Sequence, residues 1–150
     1  MTNSTPKPQT TERIVVGVDG SAASIDAVRW AARQAQLTGA ALEAVIAWQY
    51  PMSSSGYLLG VQDDWQANAQ SVIEHAMELA DLPADLVTAQ RVIEGHPAEM
   101  LIQTAMGADL LVVGSRGHGG FAGMLIGSVS EHVCSHAPCP VLVVRHMEAQ

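Results

Sequence analysis

The sequence predicts an α/β domain built on an open parallel β-sheet. Three observations carry that reading. Short apolar runs, RIVVGV (13–18), ALEAVIAW (41–48), ADLLVVG (108–114) and PVLVVR (140–145), recur along the chain, three of them nearly continuous in Val, Ile and Leu. That composition suits parallel strands covered on both faces. Helical patterns lie between the runs, so strands and helices alternate. The 150 residues, 48% hydrophobic and 15% charged, fit one globular domain with a substantial core.

In chain order, the polar, Pro/Thr-rich MTNSTPKPQTTE (1–12) reads as a flexible tail, and the domain spans 13–147. The first strand, 13–18, leads into a helix with the apolar stripe Val28, Ala31, Ala32 and Ala35. Strand 41–48 is followed by the one long loop, QYPMSSSGYLLGVQDD (49–64). A second helix carries Trp65, Ala69, Val72, Ala76 and Leu79 on one face. LVTAQRVIE (86–94) is more polar and alternates, which marks an edge strand. A third helix is expected to start at Pro97, where a missing amide is harmless, and to turn Met100, Leu101 and Ala105 inward. Strand 108–114, a glycine loop, a fourth helix after Gly127 and strand 140–145 complete a β-α-β-α-β-α-β-α-β order with right-handed crossovers. Met100, Met106, Met124 and the tryptophans are expected in the core.

Charge narrows the partners. The formal net charge is −8 and Lys7 is the only lysine, which argues against nucleic acid or an anionic membrane surface. The N-terminal stretch has no apolar segment of a signal peptide, and no run approaches a membrane span. Cys134 and Cys139 are too few for a disulfide framework, so the expected compartment is the cytoplasm.

In open α/β sheets, ligands bind beyond the carboxyl ends of the strands. After the first strand comes VDGSAAS, where Asp19 and Ser21 are either ligand contacts or turn and cap residues for the next helix. After the fourth strand comes GSRGHGGFAGMLIGS (114–128), with six glycines in fifteen residues. Such a loop loses much backbone freedom on folding, which a close approach to a ligand would offset. Ser128-Val-Ser-Glu131 fits a capping box, so a helix is expected to begin near Ser128 and to offer the amides of Val129, Ser130 and Glu131. A strand, a glycine loop and a helix N-terminus together suit a phosphate. No Walker lysine is present, so charge would be met by amides, hydroxyls, Arg116 and a divalent cation such as Mg²⁺ on the phosphates. Gly127 would bring its backbone close to the phosphates, where a side chain would intrude. The plain alternative is a loop whose helix is merely capped.

Gly114-x2-Gly117-x9-Gly127-Ser128 resembles the G-x2-G-x9-G-S/T signature of the ATP-binding branch of the universal stress protein family. IVVGVDGS and SHAPCPVLVVR also look like that family, so the resemblance covers roughly residues 12–146. It implies a Rossmann-like nucleotide-binding fold, a five-stranded sheet of order 3-2-1-4-5, helices on both faces and a homodimer through strand 141–145. It further implies a site for an adenine nucleotide. Val18 and Asp19 with Ser21 would meet adenosine, and the backbone of Ala47 and Trp48 would meet adenine. Gly114, Ser115, Arg116 and Gly117 would surround the ribose and first phosphate. Gly127, Ser128, Val129 and Ser130 would hold the outer phosphates. Trp48 replaces a smaller aliphatic residue usual beside adenine, and Gly119-Gly120 loosens the loop.

The function expected is an ATP-binding regulatory module of the stress response, not an enzyme beyond slow hydrolysis, since no base–nucleophile pair stands out near the glycines. Cyclic AMP binding, or a nucleotide-independent interaction role, is the alternative. His132, Cys134, His136 and Cys139 invite a zinc reading, but Cys134 points off the histidine face and Cys139 lies between prolines, so no metal site is expected. His118 could touch phosphate or face solvent.

Overall fold

The computed structural model describes residues 12–50, 64–117 and 126–147. The expectations for the tail, for loop residues 51–63 and for His118, Gly119, Gly120 and Met124 lie outside the described residues. Among those described, the elements run β1 (Arg13–Gly17), α1 (Ala22–Thr38), β2 (Ala41–Trp48), α2 (Trp65–Ala80), β3 (Thr88–Glu94), α3 (Pro97–Thr104), β4 (Leu110–Gly114), α4 (Ser128–His136) and β5 (Val141–Val144). All pairings are parallel and the strand order is β3-β2-β1-β4-β5. The chain therefore runs outward one way from β1 to β3 and the other way through β4 and β5. The crevice this opens lies at the carboxyl ends of β1 and β4.

Alternation along the strands divides the core between two layers. Ile14, Val16, Leu42 and Ala44 pack with α1 and α2, while Val15, Val45, Leu111 and Val113 pack with α3 and α4. On α1 the buried stripe includes Val28, Ala31, Ala32 and Ala35, as its period predicts. Gly39, at φ 75°, ends that helix in the left-handed conformation open to glycine. At the amino edge of the sheet, the Arg13 guanidinium pairs with Glu43 at 2.8 Å and donates to the carbonyls of Thr104 (3.0 Å) and Met106 (2.8 Å). This fastens the end of α3 and leaves the opposite edge free. No described helix is long and apolar enough to cross a membrane.

Three packing expectations need correction. The α2 stripe is rotated by one residue, burying Ala69, Ile73, Ala76, Met77 and Ala80; Val72 and Trp65 are half-buried and Leu79 is exposed. Both series repeat at helical spacing, so docking on the sheet and α1 makes the choice. Met106 is exposed where the chain leaves α3, and Met100 is half-buried. Trp30 is exposed on α1, its ring covered by the Arg33 guanidinium 4.8 Å from the centroid.

Candidate functional site

The site is assembled from two turns at the carboxyl edge. After β1, Asp19 leads into Gly20, whose φ of 84° turns the chain toward α1. The Asp19 carboxylate accepts from the Ser21 amide at 2.8 Å, a side-chain turn typical of aspartate. Ser21 caps α1, accepting from the Ser24 amide at 3.2 Å, and its hydroxyl also contacts the Arg116 carbonyl at 3.4 Å. The cap reading of Ser21 is thus the one its geometry satisfies.

After β4, Gly114 passes directly over the start of α1. A Cβ there would stand 2.8 Å from the Ala23 carbonyl carbon and 2.9 Å from the Ser24 nitrogen, so helix packing alone demands glycine. Ser115 is buried; its amide donates to Val144 at 2.7 Å and its carbonyl accepts from the Gly127 amide at 2.6 Å. Gly117 leaves room for the Asp19 carboxylate, which a Cβ would displace.

Helix α4 starts one residue earlier than the capping box predicts. Gly127 is the N-cap, Ser128 is the first helical residue, and no side chain caps the helix. The Glu131 amide is consequently inside the helix, bonded to the Gly127 carbonyl at 2.9 Å. The amides left without a described acceptor are those of Ser128, Val129 and Ser130. The Ser130 hydroxyl is buried and donates to the Gly114 carbonyl, so Ser130 has its amide rather than its hydroxyl left to offer.

A cavity of about 440 Å³ opens between these turns. It brings together Val18, Asp19, Ala47, Gly114, Arg116, Gly117, Gly127, Ser128, Val129 and Ser130, all singled out in the sequence. Ser21, Trp48 and Ser115 do not line it. The residues missed are Gly17, Ser24, Val45, Pro97, Leu101 and Val113, which form an almost wholly apolar floor and wall. Their strand and helix patterns read as ordinary core; only Pro97, at a helix start on the same edge, gave a signal.

The end of β2 offers backbone to this cavity at one residue. Strand β1 pairs with β2 only as far as Gly17 opposite Val45, and the Val18 amide donates to Val45. The Trp48 carbonyl faces β3, where it accepts from Gly95 at 2.8 Å. Backbone groups alternate sides along a strand, so those of Ala47 face the space beyond β1. The backbone of Ala47, rather than that of Trp48, is therefore the one turned to this space. The Trp48 ring instead meets Tyr50 edge-on, with centroids 5.0 Å apart.

The histidine and cysteine group does not converge. His132 and His136 stack with centroids 4.5 Å apart, Cys134 is exposed, and Cys139 is half-buried, where burial pushes its thiol up. Among the described residues no three His, Cys, Asp or Glu side chains gather as metal ligands.

The profile of the universal stress protein family matches residues 10–145. The chain belongs to that family. A universal stress protein of Mycobacterium tuberculosis is 39% identical over 145 residues, covering 93% of this chain and 47% of the relative. One from Thermus aquaticus is 35% identical over 136 residues, covering 88% of this chain and 97% of the relative. This universal stress protein thus spans about half the length of several curated relatives and nearly all of another. Among solved structures, UspA from Lactobacillus plantarum superposes with a TM-score of 0.74 at 25% identity, over 89% of this chain and 97% of that one. A universal stress protein solved in complex with cAMP superposes with a TM-score of 0.69 at 30% identity, over 91% of this chain and 98% of that one.

Proposed function

We propose that this universal stress protein binds an adenine nucleotide, ATP carried with Mg²⁺, and acts as a nucleotide-dependent regulatory module of the stress response. The observation that carries the reading is the row of amides at Ser128, Val129 and Ser130 on a cavity that Asp19 also lines. Helix N-terminal amides favour a phosphate by direct bonds and by the helix dipole. Asp19 keeps one carboxylate oxygen on the Ser21 amide, and the other is available to a ribose hydroxyl. Among the described residues Arg116 is the one basic residue lining the cavity, too little charge for a triphosphate. A divalent cation bound to the phosphates would supply the rest.

Asp19 and Arg116 are the ionisable side chains of the described lining, and the buried Ser130 hydroxyl is already spent on Gly114. This favours a binding module with at most slow hydrolysis over an enzyme. Cyclic AMP is the second reading, favoured by the 30%-identical relative solved with it. The free thiols of Cys134 and Cys139 suit a reducing compartment, and the cytoplasm is the one proposed. A homodimer through residues 141–145 completes the reading, because β5 ends the sheet and is apolar along its length.

Mass spectrometry of ligand released from the heat-denatured protein, with titrations of ATP, AMP and cyclic AMP, tests the proposal. ATP bound most tightly is the expected result; tighter cyclic AMP binding selects the second reading. No binding of any of the three leaves the nucleotide-independent interaction role.

A further inference from the structure

Helix α4 buries Ser130 and Val133 and turns His132 and His136 to solvent. Residues four apart are neighbours on a helix surface. Here the two imidazole rings stack with centroids 4.5 Å apart and planes 21° from parallel. The Nδ1 of His136 lies 3.0 Å from the His132 carbonyl. A carbonyl oxygen only accepts, so that nitrogen carries the hydrogen, and in the neutral ring the lone pair sits on Nε2. A ring N–H held by a backbone carbonyl is the support that orients metal-binding histidines. His136 is also the last residue of the helix, where the negative end of the helix dipole favours a cation.

We propose that His132 and His136 form a two-point clamp for a borderline divalent metal ion such as Zn²⁺, one ion per chain. Cys134 and Cys139 take no part, so this is not a closed four-ligand centre. Imidazole suits Zn²⁺, Ni²⁺ and Cu²⁺, whereas Mg²⁺ seeks oxygen ligands. Each ring must bring a nitrogen within about 2.0–2.1 Å of the ion. Both side chains are exposed, so the tilt that joins their nitrogens on one ion moves them through solvent, not through core. Water completes the coordination. The clamp links successive turns of α4 at its carboxyl end, away from the open amides at Ser128, Val129 and Ser130. It is independent of the nucleotide reading.

Calorimetric titration of the tag-free chain with ZnCl₂, without nucleotide and with Mg²⁺ in excess, is the test. One Zn²⁺ per chain is expected, with a melting temperature that rises as the metal is added. His132→Gln and His136→Gln should each weaken Zn²⁺ at least about tenfold, and the double variant little further, because a chelate fails when either ligand is lost. Both positions are exposed, so the metal-free variants should melt with wild type. Cys134→Ser and His146→Gln should leave binding unchanged. In NMR spectra, the ring protons of His132 and His136 should shift together as Zn²⁺ is added. Zn²⁺ binding untouched by either histidine substitution would overturn the proposal. So would its loss in Cys134→Ser, which would place the ion on the thiol. No uptake of Zn²⁺, or one ion shared by two chains, would equally rule out a clamp built by a single α4.

Discussion

The amide of Gly127 donates to the carbonyl of Ser115 at 2.6 Å, tying the start of α4 to the turn that leaves β4. The Ser130 hydroxyl adds a second tie, to Gly114. Together they hold the first turn of α4 against the end of the sheet, so its open amides are pre-positioned. A cradle ordered in advance loses less freedom when a ligand arrives.

Ser128→Pro tests the cradle directly. Proline suits the first helical position, and Gly127 at ψ 166° is already extended, as the residue before proline requires. The substitution deletes one cradle N–H and leaves the helix intact. ATP affinity is expected to drop about tenfold relative to Ser128→Ala, with adenosine unaffected, as measured by calorimetric titration. Equal ATP binding by the two variants would remove the amide of Ser128 from the site.

The two signature glycines at the ends of the loop should respond differently to alanine. At Gly114 a Cβ meets the backbone of α1, and Gly114→Ala is expected to lower stability by about 1–3 kcal/mol in denaturant melts. At Gly127, φ is −78° and the nearest atoms to a Cβ are an ordinary 3.5 Å away, in Ser115 and Arg116. Gly127→Ala should change stability by less than about 1 kcal/mol. That Cβ would point at the turn, so the free structure gives no ligand-independent need for glycine at this position. A larger loss at Gly127 than at Gly114 would contradict this account.

Asp19→Asn keeps an oxygen for the Ser21 amide while removing the charge and the second acceptor. If that second oxygen bonds ribose, ATP, AMP and cyclic AMP should all weaken by a similar factor, on the order of ten. Titration of the three ligands provides the comparison. Loss confined to ATP would place Asp19 at the phosphates instead.

Val143→Lys places a charge in the last strand of the sheet, whose register partner is Val113. Lysine on an edge discourages strand-to-strand pairing. Light scattering at micromolar concentration is expected to show a dimer for wild type and a monomer for the variant, both folded by circular dichroism. A dimeric variant would rule out pairing through this edge.

The sequence by itself determined the elements and their class. Nearly continuous apolar runs such as 13–18 and 108–114 read as buried strands, and Pro97 marks a helix start without help from neighbours. The resemblance that rests on Gly114, Gly117, Gly127 and Ser128 also named most of the residues found lining the cavity. Choices between equivalent local solutions needed the tertiary structure. The stripe through Ile73 and Met77 and the one through Val72 and Leu79 are both helical, and only docking on the sheet selects the first. Likewise Ser128 could cap a helix or begin one, and the folded chain begins the helix there, with the Glu131 amide on the Gly127 carbonyl at 2.9 Å. The apolar floor at Val45, Leu101 and Val113 has no local signature at all. It becomes a site feature because separate elements meet there, and a contact between distant residues has no period or motif in the chain.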